Sequence, residues 1–119
     1  MILEVATLDV RPGQEAAFES AFRDASRIIS SMHGHVSHEL KRCVEKQNRY
    51  LLLVNWQTLE DHTVGFRQSA EYRQWKSLPH HFYDPFPTVE HYPQAARRKQ
   101  AEASSPRAAI PDHPGRSLR

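Results

Sequence analysis

The sequence predicts an α+β fold: an antiparallel sheet carrying helices on one face, its segments running in the order βαββαβ. Three observations predict it. Phe18, Ala21, Phe22, Ala25, Ile28, Ile29 and Met32 recur at helical spacing and form one apolar stripe. Two strand-like runs, His35 to Val44 and Arg49 to Trp56, follow with only the short polar connection Glu45 to Asn48 between them, as in a hairpin. A chain of 119 residues has length for one domain and one modest core.

Each element can be justified in turn. Ile2 to Val10 is β-rich and is stopped by the turn signal Arg11-Pro12-Gly13. The apolar stripe then defines a helix over Gln14 to Met32, which Gly34 breaks. In the next strand, Val36, Leu40 and Val44 alternate with the charges of Glu39 and Lys41. After Trp56, Thr58 and Asp61 resemble a capping box and start a short helix that Gly65 weakens. Ser69 resets the cap before Tyr72, Trp75 and Leu78, and Pro79 ends the helix. Thr88 to Tyr92 supplies the last strand, completing the ferredoxin-like arrangement.

The domain therefore spans residues 1–92, with a formal charge of −2. Residues 93–119 form a tail rich in Pro, Ala, Arg and Ser, in which Arg97, Arg98, Lys99, Arg107, Arg116 and Arg119 outweigh Glu102 and Asp112 to give +4. With almost no large apolar residues it cannot offset its ordering entropy, and it reads as disordered. Its scattered cations lack interleaved aromatics, so no nucleic-acid partner is implied.

In Arg49 to Trp56, Tyr50, Leu52, Val54 and Trp56 share one face, while Leu51, Leu53 and Asn55 share the other. Both faces are apolar, although a sheet with helices on one side only would turn the second to water. A partner sheet is the simplest cover, and the chain is expected to be a homodimer.

Other classes find no support. No apolar run approaches the roughly 18 residues of a membrane span. The start of the chain has no leader pattern and a single cysteine allows no intrachain disulfide, so the protein reads as cytoplasmic. No CxxC, HExxH, Walker or GxGxxG motif occurs, and Cys43 reads as a small buried thiol. His33, His35 and His38 are the nearest thing to a metal set, but strand alternation puts His35 and His38 on opposite faces, so no metal is expected.

The segment NWQTLEDHTVGFRQSAEYRQW, followed by HHFYDPFPTVEHY, resembles the antibiotic biosynthesis monooxygenase family over residues 1–92. The resemblance implies ferredoxin-like subunits pairing sheet to sheet as a dimeric α+β barrel, with a pocket between sheet and helices. Family members that oxidise phenols without a cofactor carry an Asn four residues before the matching Trp and a Tyr six residues after it. Here Trp56 matches, Leu52 stands for the Asn and His62 for the Tyr. In the haem-degrading branch the Asn, Trp and axial His fall on Ala6, Phe66 and Lys76, all departures, although His80 and His81 lie one turn beyond Lys76.

His62 and Phe66, four apart, share one helix face. If that face meets the sheet, His62 and Trp56 become the candidate catalytic pair. Leu52, Val54, Phe66, Tyr72, Trp75 and Phe82 are then the candidate substrate-binding residues around an apolar cavity suited to a flat aromatic molecule. An imidazole with an ordinary pKa near 6.5 could take a proton from a phenol or hydroquinone, which dioxygen would then oxidise with no cofactor. The alternatives are a non-catalytic ligand-binding or stress protein using the same pocket and, through His80 or His81, a haem-binding protein.

Overall fold

The turn at Arg11-Pro12-Gly13 closes through Gln14 N–H donating to the Arg11 carbonyl at 3.0 Å, and Gly13 takes the positive φ of 88° that this turn demands. The structure, a computed structural model, describes residues 1–79, 82, 83 and 87–98. In chain order the elements are β1 (Ile2–Asp9), α1 (Glu15–Ser30), β2 (His35–Arg42), β3 (Arg49–Trp56), a π-helical segment (Asp61–Phe66), α2 (Ala70–Ser77) and β4 (Thr88–Pro93). The strands form one antiparallel sheet in the order β2-β3-β1-β4. This is the α+β, ferredoxin-like fold that the alternation and spacing predict.

Strand parity sorts the side chains. Glu4, Ala6 and Leu8 of β1 and Tyr50, Leu52, Val54 and Trp56 of β3 are buried on the helix side. The stripe of α1 buries Phe18, Phe22, Ala25 and Ile29 against them. Phe18 packs on Tyr50 with ring centroids 4.8 Å apart, and Phe22 meets Trp75 of α2 at 5.9 Å. On the opposite face Leu3, Val5, Leu51 and Leu53 are half-buried.

The segment after β3 departs from the expected helix. Its start is as predicted, since Asp61 N–H donates to Thr58 Oγ1 at 3.1 Å and Thr58 N–H to Asp61 Oδ2 at 3.2 Å. It then widens to π geometry, with Arg67 N–H reaching the His62 carbonyl at 3.1 Å, a five-residue step. Gly65, which favours no helix, sits inside this turn. Ser69 caps α2 by accepting from Tyr72 N–H at 3.1 Å. Gly34 has φ 86°, and a Cβ there would collide with the Asp61 side chain, so the end of α1 and the start of the π-helical segment are in close approach.

Strand β2 corrects the sequence reading. A bulge between His35 and Ser37 pushes Val36 out to 45% exposure, and the strand ends at Arg42, leaving Val44 exposed. The bulge resets parity, so His35 and His38 share the inner face rather than opposite ones, His35 Nε2 lying 2.8 Å from His38 Nδ1. Cys43 is half-exposed rather than buried, its thiol 3.5 Å from Glu45 Oε1. After Pro93, residues 94–98 continue without regular structure; the rest of the predicted tail, 99–119, lies outside the described residues. No described helix is long and apolar enough to cross a membrane.

Candidate active site

Register places the polar groups. Glu4 pairs with Val54 on one side and His91 on the other, which directs Glu4 and His91 to the same inner face and sets Trp56 diagonal to Glu4. Trp56 Nε1 donates to Glu4 Oε1 at 2.9 Å. From the π-helical segment His62 lies over the indole, rings stacked at 5.4 Å and 17°. Its Nε2 is 3.4 Å from Glu4 Oε1, and its Nδ1 is 2.7 Å from His91 Nε2. Glu4, His62 and His91 thus lie in series from the core to the edge strand, the two imidazoles hydrogen-bonded and the carboxylate in close contact with the first.

Burial sets the charges. Glu4, 6% exposed, is pushed above the ordinary carboxylate range by desolvation, opposed by the Trp56 N–H and the Arg67 guanidinium. His62, 3% exposed, is pushed down to about 3 by desolvation, reinforced by Arg67 and His91. His91 is lowered by burial and then by Arg67. The neutral His62 corrects the sequence expectation of an imidazole titrating near 6.5.

This series lies against a cleft of about 460 Å³, its open mouth included. The sheet contributes Glu4, Ala6, Leu8, Leu52 and Val89; α1 gives Ile29; His62, Phe66 and Arg67 come from the π-helical segment and its end; Tyr72 and Trp75 come from α2, and Tyr83 and Pro87 complete the lining. Phe66 is clamped between Tyr72 at 5.2 Å and Trp75 at 5.9 Å. The structure therefore brings Leu52, His62, Phe66, Tyr72 and Trp75 together around one cleft. Trp56, Val54 and Phe82 do not line the cleft: Trp56 and Val54 are sealed beneath it, and Phe82 packs edge-on against Phe18 at 6.1 Å.

Sequence reasoning missed Glu4, Arg67, Tyr83 and His91. A signal existed for Glu4, a carboxylate at the same parity as Ala6 and Leu8 in an apolar strand, and for His91 at the parity of Val89. Lys76, in the position of an axial haem ligand, holds its ammonium 5.3 Å from the Tyr72 ring centroid, while His80 and His81 lie outside the described residues. No three His, Cys, Asp or Glu side chains among the described residues are grouped to hold a metal ion.

Sheet, helical roof and the cleft between them together define a small ferredoxin-like α+β domain. The family profile of antibiotic biosynthesis monooxygenases matches residues 1–78, and the chain belongs to that family. It is 56% identical over 92 residues to the uncharacterized protein YczJ of Bacillus subtilis (strain 168), covering 77% of this chain and 97% of that one. A crystal structure from Bordetella bronchiseptica, named for the same family, superposes with a TM-score of 0.76 at 35% identity, covering 80% of this chain and 97% of the other. SnoaB, a cofactor-independent oxygenase from Streptomyces nogalater solved in a mutant form, shares the fold with a TM-score of 0.61 at 24% identity, covering 85% of this chain and 97% of its own.

Proposed function

We propose that this protein is a cofactor-independent oxygenase that oxidises a small phenol or hydroquinone with dioxygen in the cleft between sheet and helices. The observation that carries the proposal is the buried carboxylate and imidazole series opening on an aromatic-walled cleft. Membership of the monooxygenase family and the shared fold of SnoaB support it.

The chemistry follows from the surroundings. The aromatic walls hold a flat ring and exclude water, keeping it beside the proton-accepting series. Loss of the phenolic proton leaves an electron-rich phenolate that passes one electron to dioxygen. Recombination forms a carbon–oxygen bond, and the hydroperoxide loses water, so one phenol and one dioxygen give one quinone and one water. The aromatic side chains of Phe66, Tyr72, Trp75 and Tyr83 give a compact ring flat surfaces to lie against.

The working unit in this proposal is a cytoplasmic homodimer. A second copy of the sheet covers Leu3, Val5, Leu51 and Leu53, whose apolar face the helices leave open. Oxygen uptake by metal-free protein, followed with a panel of phenols and hydroquinones and with quinone absorbance as the product readout, tests the reading. Rates equal to the protein-free blank across the panel, with saturable phenol binding, would make the protein a binding module instead.

A further inference from the structure

Both contacts made by the Glu4 carboxylate use Oε1: the Trp56 N–H at 2.9 Å and His62 Nε2 at 3.4 Å. Glu4 lines the cleft, and Oε2 has no hydrogen bond among the described residues. His62 is differently placed, because its two ring nitrogens already face Glu4 and His91. The group with a vacant basic atom at the cleft is thus the carboxylate. On the reading of the cleft as a phenol site, we propose that Glu4 is the catalytic base and that its proton exchanges with solvent along His62 and His91.

In the transfer step the substrate O–H bond breaks, its electron pair stays on the phenolate, and a new O–H bond forms on Glu4 Oε2; the carboxyl then turns to present that O–H to His62, and both imidazoles turn to their Nδ1–H order before the proton moves outward. Once the 3.4 Å Glu4–His62 contact closes to hydrogen-bond length, the series has two self-consistent proton orders. With Glu4 protonated, its O–H donates to His62 Nε2 and His62 Nδ1–H donates to His91 Nε2. With Glu4 ionised both bonds reverse, His91 Nε2–H donating to His62 Nδ1 and His62 Nε2–H to Glu4. Passing from the first order to the second releases one proton from His91 Nδ1. His91 is half-buried on the edge strand β4, within reach of solvent.

The donor atoms lie in series and do not converge on one point, which is the arrangement of a relay rather than of a cation site. The groups facing Glu4 are Trp56 from β3, His62 from the π-helical segment, His91 from β4 and Arg67 beyond that segment. Arg67 favours the ionised carboxylate while burial opposes it.

Two measurements on the full chain test this. The first follows the Glu4 carboxyl carbon and the ring nitrogens of His62 and His91 by NMR as pH is varied. Both imidazoles should change tautomer at the pH where Glu4 titrates, and in His91→Phe the Glu4 step should persist at a shifted midpoint. Histidine rings that stay unchanged through the Glu4 titration would overturn the relay. The second is oxygen uptake. Glu4→Gln, nearly isosteric, should lower kcat by about a hundredfold to ten-thousandfold, the range of a positioned base, with little change in KM. Uptake within about threefold of the parent would overturn the assignment of the base. If Glu4→Gln does not fold, Glu4→Asp serves, its shortened carboxylate losing kcat while phenol still binds. A parent protein inactive on every phenol removes the oxygenase reading, and the titration then decides by itself whether Glu4 exchanges protons through the two histidines.

Discussion

The His62 imidazole lies stacked on the Trp56 indole, 5.4 Å between ring centroids and 17° between planes, while both rings reach the same Glu4 oxygen. Packing and chemistry therefore share one contact. A substitution at either ring changes core filling and the state of the carboxylate together.

His62→Phe keeps the aromatic stack and removes the link from Glu4 to His91. Oxygen uptake is expected to fall, though less than in Glu4→Gln, because the proton taken by Glu4 loses its outlet, with the fold retained by circular dichroism. Stability should also respond to pH. The folded His62 is pushed down to about 3, below the ordinary 6.5, so between these values the unfolded chain binds more protons and acid favours unfolding. This contribution to stability is present above pH 6.5 and is lost as pH falls toward 3, with a limiting slope of about 1.4 kcal/mol per pH unit. Denaturant titrations of His62→Phe should show a shallower acid decline than the parent; identical slopes would remove the assignment.

Trp56→Phe removes the indole N–H that lowers the Glu4 pKa. Without that donor the carboxylate is less stabilised, so its pKa rises further and the acid limb of the rate profile moves to higher pH. Some core stability is lost as well, since Trp56 is fully buried. A profile that moves to lower pH would contradict this.

Gly34→Ala should be strongly destabilising. A left-handed backbone costs an L-residue about 1–2 kcal/mol, and the new methyl meets the Asp61 side chain. The melting midpoint should drop by roughly 5 °C or more. Gly13→Ala, which has open space around its Cβ, should cost only the backbone part.

Leu53→Lys places an ammonium on the apolar outer face of β3, where the proposed partner sheet would bury it unpaired. Sedimentation should show a dilution-resistant dimer for the parent and a shift to monomer for the variant. A stable monomeric parent would remove the sheet-to-sheet assembly.

The parts of the fold that were legible are those written in local periodicity. The stripe from Phe18 to Ile29 defines α1, and the alternation of Tyr50, Leu52, Val54 and Trp56 defines the inner face of β3. The Thr58 and Ser69 caps could be read because their side chains bond to backbone within three residues. The bulge at Val36 could not, since nothing in HVSHEL distinguishes an extra residue from simple alternation, and the faces of His35 and His38 were inverted as a result. Leu52, Phe66, Tyr72 and Trp75 were visible as apolar neighbours of His62. Glu4 and His91 were not paired in advance, because 87 positions separate them in the chain and only the register of β1 with β4 brings them together.

That register makes the site tolerant of exchanges and intolerant of counting errors. Moving β4 along β1 by a single position would trade Val89 and His91 for Glu90 and Tyr92 on the inner face, leaving every residue of the segment present but the outlet of the carboxylate sealed by a phenol ring. In this lineage, shortening or lengthening the loop between α2 and β4 should therefore be compatible with activity only where the strand itself still begins at the same partner, Thr7 opposite Thr88. The address of the proton outlet is an odd or even number, and a deletion can erase it without touching one functional side chain.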